Sequence, residues 1–365
     1  MSRRLAPKRV ADILGAAGSV AIVALAAYVL SVLLSDQAVP VDFHFYLDAA
    51  QDVRAGDSPY PESAYTPFGI LGAVPFTFLS VAVADVLVKS LLVVGVGVTL
   101  YVLGVRDWRC YPLALLWPPV IHAVQTANVT IILVLAAAVV WRFRDRARAP
   151  GIALGASIAL KFILWPLWAW LLVVGRRRTA LWSAAAAVLL SVGSFAAIGL
   201  STLLEYPEAL RAYPDSALEG YSLDVLGEDL GFDPLAARLA MLGVACLVLV
   251  SMIVAGRRGN EASSFVLAIG ATLAFSPYVW LHYFALLLVP VAIVRARLSP
   301  IWFVPLGMWA FGAGTGNGST VDATAVVGLA ALTLLLAYRA APGRSEATRS
   351  VSPGVARVPR AAGSL

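Results

Sequence analysis

Along the chain, apolar stretches about as long as a lipid hydrocarbon core alternate with short polar intervals that carry the charges. A helix needs roughly 20 apolar residues to cross such a core. The run over 13–34 is uninterrupted and follows Arg3, Arg4, Lys8 and Arg9. It is too long for the core of a secretory signal peptide, and more apolar runs come after it. Spans are predicted near 13–34, 84–104, 111–124, 128–141, 151–163, 163–175, 180–203, 238–255, 264–278, 282–294, 300–314 and 321–338. That makes about twelve, with both ends cytoplasmic. Several are too short to cross a bilayer at ~1.5 Å per residue, notably 111–124, 128–141 and the pair around Lys161. Either they extend into neighbouring polar residues or they are broken helices lining a cavity, where protein or water satisfies the backbone. Segment 68–81 fits neither count. A complete span there would move Arg142–Arg148 outside, so it is expected to be re-entrant or the outer half of a long bent helix.

Composition and charge agree with lipid as the solvent. Of 365 residues, 60% are hydrophobic and 13% charged, against about 25% charged in an ordinary soluble domain. The formal charge of +6 does not point to nucleic acid, because the arginines are grouped at the ends of apolar segments. Arg142, Arg144, Arg146 and Arg148, then Arg176–Arg178, Arg257 and Arg258, and Arg295 and Arg297 follow the positive-inside pattern. The intervals 36–67 and 205–238 are acidic and read as extracytoplasmic loops. Three regions follow: a cytoplasmic N-terminus over 1–12, an all-α polytopic membrane domain over 13–338, and a tail over 339–365 without apolar periodicity, expected to be disordered and cytoplasmic. Gly312–Gly318 lacks the lysine of a phosphate loop and reads as a turn. Cys110 and Cys246 make neither a disulfide framework nor a metal site.

The first outer loop carries candidate chemistry. Phe43, Tyr46, Ala50 and Val53 recur at helical spacing, with Asp48, Gln51, Asp52 and Arg54 on the other side, which predicts an interfacial amphipathic helix of about three turns. Gly56 stops it. Asp42, at its beginning, is a helix cap or first-turn acid, or a carboxylate at the water–membrane boundary able to take a proton from a hydroxyl. Lys161 interrupts an uncharged apolar run. An ionisable residue there either snorkels to the headgroups or faces a cavity and holds an anion as a point charge. His282 belongs to an aromatic belt or donates a hydrogen bond to a phosphate or sugar hydroxyl. His44 and His122 share its outer placement, without the close spacing of a metal site. Gln125 and Asn128 offer neutral hydrogen-bonding groups on the same side. An outer cavity with acid, amine and imidazole suits an enzyme acting on a lipid-anchored phosphate. A transporter of lipid-linked sugars is the second reading, although no inverted repeat is visible.

Val41-Asp42-Phe43-His44-Phe45-Tyr46, Ala55-Gly56-Asp57-Ser58-Pro59-Tyr60, Tyr65-Thr66-Pro67-Phe68, Asn128, Ala159-Leu160-Lys161 and Ser276-Pro277-Tyr278-Val279-Trp280-Leu281-His282 together resemble the actinobacterial GT-C glycosyltransferases of family 87. The resemblance spans roughly 40–300. It implies a GT-C fold and inverting transfer of a sugar, mannose first and arabinofuranose as the alternative, from a polyprenyl phosphate to a glycolipid or polysaccharide acceptor, forming an α linkage on the outer face of the plasma membrane. It also implies that Asp42 is the general base and that Lys161 and His282 contact the donor phosphate. His44, Tyr46, Tyr60, Tyr65, Gln125, Asn128, Trp280, Glu219, Tyr221 and Asp224 are candidate substrate contacts. No cofactor or metal is expected, and the chain is taken as a monomer among membrane lipids. It departs from the family at Tyr65-Thr66-Pro67, Gln125-Thr126-Ala127-Asn128, Lys161-Phe162-Ile163-Leu164-Trp165-Pro166 and His282-Tyr283, where the family often carries Tyr-Pro-Pro, Gly-Gln-x-Asn, Lys-Leu-x-Pro and His-His.

Overall fold

The computed structural model describes residues 7–35, 41–60, 62–212, 220–311 and 318–342, and these are helical with no strand among them. The expectations for the first residues, for the Gly312–Gly318 turn over 312–317, for Glu219 and for most of the tail lie outside the described residues. In chain order the helices are α1 (Pro7–Ser35), α2 (Val41–Ala55), α3 (Pro67–Ala73), α4 (Val81–Val102), α5 (Cys110–Leu115), α6 (Pro118–Gln125), α7 (Thr130–Arg142) and α8 (Arg148–Leu160). They continue with α9 (Trp165–Val173), α10 (Arg177–Ile198), α11 (Thr202–Ala212), α12 (Leu223–Asp229), α13 (Pro234–Arg257), α14 (Glu261–Ala274), α15 (Leu288–Val294) and α16 (Thr320–Ala340). Among the described residues, five helices are long and apolar enough to cross a membrane: α1 over Gly15–Leu34, α4, α10, α13 and α16. Their large side chains face outward, Leu189 at 72% exposure and Leu247 at 66%, as suits helices solvated by lipid rather than water. The described residues are thus consistent with an all-α membrane protein.

The other expected spans fall on shorter apolar pieces whose breaks have local causes. The 111–124 region is split into α5 and α6 at Trp117, where Pro118 and Pro119 restart the helix. Segment 68–81 forms α3 and a 3₁₀ turn over Val74–Phe78, closed by extended Leu79 and Ser80 before α4 begins. It is therefore not the continuous outer half of a long bent helix. Leu281–Leu287 and Pro300–Ala310 are 3₁₀ helices, the latter with Pro305 inside it. Such windings survive only when protein covers their backbone, and every residue from Leu281 to Leu287 is buried.

Two close packings orient the middle of the chain. A Cβ on Gly151 would strike Trp182 and the Thr179 carbonyl, and one on Gly155 would strike the Ser183 carbonyl and Ala186. Contacts that advance together along both chains make α8 and α10 parallel, with small residues allowing the approach as in other membrane helix pairs. Their first turns meet among the arginines. Arg176 Nε donates to the Arg144 carbonyl at 2.7 Å, and Glu261 bridges the Arg144 and Arg176 guanidinium groups. Lys161 follows the far end of α8, whose 13 residues put it about 20 Å from that arginine end at ~1.5 Å per residue.

Between α3, α4, α7, α8 and α10 runs an apolar groove of about 970 Å³. Its lining includes Leu91, Ile132 and Leu189, which are also exposed on the outside of the protein, so the groove opens sideways towards lipid. Its upper end reaches Phe43, Tyr46 and Leu160.

Candidate active site

The loop after α2 is built to hold Asp42. Asp42 lies in the first turn of α2, where free backbone amides favour an acid. The helix ends at Ala55, and Gly56 takes φ +92°, a left-handed turn that suits glycine. The chain then folds back so that the Tyr65 hydroxyl donates to Asp42 Oδ1 at 3.2 Å. The Tyr65 ring stacks on Tyr46 with centroids 3.9 Å apart. The next residue, Thr66, donates its hydroxyl to the Leu160 carbonyl at 3.0 Å and caps α3 by accepting from the Gly69 N–H. Gly69 leaves no room for a side chain, since a Cβ would lie 2.7 Å from the Tyr46 ring. Asp42 is thereby tied to the residue just before Lys161 through two hydrogen bonds carried by the adjacent residues Tyr65 and Thr66.

Lys161 adopts an extended backbone where α8 stops, and its ammonium sits over the Tyr283 ring, 4.4 Å from the centroid. A cation on an aromatic face is stabilised by the ring quadrupole, more so when partly desolvated. Tyr283 in turn stacks on His282 at 4.9 Å. His282 is buried, and its Nδ1 faces the Nδ1 of His122 at 3.3 Å. Asp42 lies within electrostatic range of His122, and Lys161 within range of His282. Acid, amine and two imidazoles thus belong to one cluster, assembled from α2, α6, the end of α8 and the Leu281–Leu287 turn.

The other expected residues divide. Tyr46 and Tyr65 line the cluster. His44 is half-buried, with Nε2 buried and unpartnered among the described residues. Tyr60 is a strut: its hydroxyl donates to the Tyr65 carbonyl at 3.0 Å, its ring packs on Tyr206, and burial, with Tyr206 and Glu205 beside it, pushes the phenol far above its usual range. Gln125 is exposed at the end of α6. Asn128 is buried, with its oxygen occupied by the Thr130 N–H and hydroxyl at 2.8 and 2.6 Å. Ala127 between them takes φ +48° in a Schellman closure of α6, the Asn128 N–H donating to the Ala123 carbonyl. Trp280 precedes the His282 turn. Tyr221 is buried beside it, its N–H on the Val279 carbonyl and its ring edge-on to Phe284. Asp224 accepts the Val225 N–H at the start of α12. Among the described residues, no group of three or more His, Cys, Asp or Glu is placed to hold a metal.

Two features escape a linear reading. His122 is an outer histidine in the sequence, but its pairing with His282 closes over 160 residues. Inside α4, Lys89 pairs with Asp85 at 2.9 Å, and both are buried. The acid-before-base spacing of four was the available local signal, and such a pair inside a membrane helix is costly to leave incomplete.

No curated protein and no solved structure matches this chain significantly. One family model, described as glycosyltransferase family 87, matches residues 64–277. The match takes in Tyr65, Thr66, His122 and Lys161, and its limits exclude Asp42 and His282. Because it covers more than half of the sequence, the chain belongs to glycosyltransferase family 87.

Proposed function

We propose that the chain transfers a sugar from a polyprenyl phosphate to a glycolipid or polysaccharide acceptor on the extracytoplasmic face of the plasma membrane, with inversion from a β-linked donor to an α-linked product. The observation that carries the proposal is the meeting of the Asp42–Lys161–His282 cluster with the upper end of the lateral apolar groove at Phe43, Tyr46 and Leu160. A lipid-linked phosphate needs both parts, an apolar path for its chain and cations for its head.

In this reading the acceptor hydroxyl attacks the anomeric carbon while the bond from that carbon to the phosphate oxygen breaks. Asp42 takes the hydroxyl proton, for which it must come within about 2.6–3.2 Å of the oxygen. Tyr65 holds the carboxylate during the step. The electron pair of the breaking bond stays with the phosphate, whose growing charge is met by the Lys161 ammonium and a ring N–H of His282. Lys161 suits this role as a compact charge, already held on the Tyr283 face. The departing phosphate is ionised, so no strong general acid is required.

Mannose is the first sugar to test and arabinofuranose the second, both from family membership. The test is incubation of the reconstituted protein with labelled polyprenyl-phosphate mannose or arabinose and a glycolipid acceptor. A larger labelled glycolipid is expected with one of them. Movement of intact labelled lipid across the vesicle, with no new product, points to a transporter instead.

A further inference from the structure

His282 meets the proposed donor only if one of its ring nitrogens carries a proton on the correct side, and its neighbour controls which. A neutral imidazole has one N–H and one lone pair. The His122 and His282 Nδ1 atoms face each other at 3.3 Å with rings nearly parallel, 16° apart. One of the two must donate and the other accept. If His282 donated, its Nε2 would be a bare lone pair, buried and without a hydrogen-bond partner among the described residues, and a phosphate offers only acceptors to such an atom. If His122 donates, His282 accepts at Nδ1 and carries its proton on Nε2.

We propose that His122 is a positioning residue that fixes the tautomer of His282, keeping His282 Nε2 as an N–H donor for the phosphate of a lipid-linked substrate. Naming that ligand rests on the transferase reading, whereas the tautomer itself does not. The surroundings fit a rigid setting. His282 lies in a turn whose every side chain is buried and stacks on Tyr283, which also carries the Lys161 ammonium. His122 is held on a short helix started by Pro118 and Pro119 and closed at Ala127. The Lys161 ammonium and the His282 ring are thus both held against Tyr283.

The chain has three histidines, which makes the test direct. Full-length protein labelled with ¹⁵N-histidine, reconstituted without substrate, gives ring-nitrogen spectra that substitutions at His44 and His122 assign. His282 is expected with Nε2 protonated and Nδ1 bare. In His122→Phe the preference is lost, whereas His122→Asn, whose amide can donate from the same place, restores it. In the transfer assay, His122→Phe raises KM for the lipid donor about tenfold, as for loss of one charge-assisted hydrogen bond, and Asn recovers most of that. An Nδ1-protonated His282 in the unsubstituted protein overturns the proposal, as does an unchanged tautomer in His122→Phe. If that variant does not fold, the unsubstituted spectrum alone decides. Because the spectra need no substrate, they identify the tautomer even in a protein inactive with both sugar donors.

Discussion

Thr66 and Leu160, 94 residues apart in sequence, are joined by a hydrogen bond of 3.0 Å from the threonine hydroxyl to the leucine carbonyl. The bond links the loop that carries Tyr65 to the residue that precedes Lys161. Thr66→Val keeps the shape and removes the donor. Because the same hydroxyl caps α3 for the Gly69 N–H, the change is expected to cost about 2 kcal/mol of stability and to lower kcat/KM by more than that loss accounts for, since base and cation lose their common register. Thermal unfolding in detergent alongside steady-state kinetics checks it.

Tyr65→Phe separates the hydroxyl from the ring. The stack on Tyr46 remains, while Asp42 loses the donor at 3.2 Å. A hydrogen bond to a charged group is worth about 1.5–3 kcal/mol, so kcat should fall tenfold or somewhat more, with donor affinity unchanged. Equal loss in kcat and donor affinity would make Tyr65 a substrate contact instead.

The apolar groove predicts a dependence on chain length. Val139 lines it near the Arg142 end of α7, far from Tyr46 and Leu160. Val139→Trp shortens the path without touching the head. Long-chain donors should lose about tenfold in KM, the equivalent of ~1.4 kcal/mol, and short-chain analogues should bind as before. Donors of graded length measured on both proteins make the comparison.

Asp107, in the turn between α4 and α5, gives a pH dependence away from the site. Its hydrogen bond from Arg109, aided by the Leu298 N–H, holds the carboxyl down at about 2, against the smaller opposing effect of burial. A depressed folded value means that the stabilisation is fully present above the ordinary aspartate range, about 3.9, and is lost as pH falls through about 2. Asp107→Asn should lower the unfolding temperature at neutral pH and flatten its decline between those limits. Unfolding followed across pH 2–7 in detergent reads both.

Much of this was legible in local pattern. The α2 helix and its stop at Gly56 follow from apolar spacing and one residue able to take positive φ, and Lys161 stands out because nothing else in its run is charged. The His122–His282 pair and the Thr66–Leu160 bond were not legible, because each joins segments that only tertiary folding brings together. The groove likewise draws one wall from each of five helices. Helix type was lost where short apolar runs wind as 3₁₀ turns, since hydrophobicity marks Leu281–Leu287 as buried without saying how tightly it coils. At Asp85 and Lys89 the apolar average of the helix concealed a pair that the spacing of four displays.

The most direct measurement is the turnover of Asp42→Asn against the unsubstituted protein, reconstituted in lipid and supplied with the accepted polyprenyl-phosphate sugar, together with donor binding to each. General base catalysis contributes about 10²–10⁴ in rate. The expected result is a fall of at least a hundredfold in kcat, an unchanged unfolding temperature and a donor Kd within about twofold. Turnover within about threefold of the unsubstituted protein would contradict Asp42 as the base.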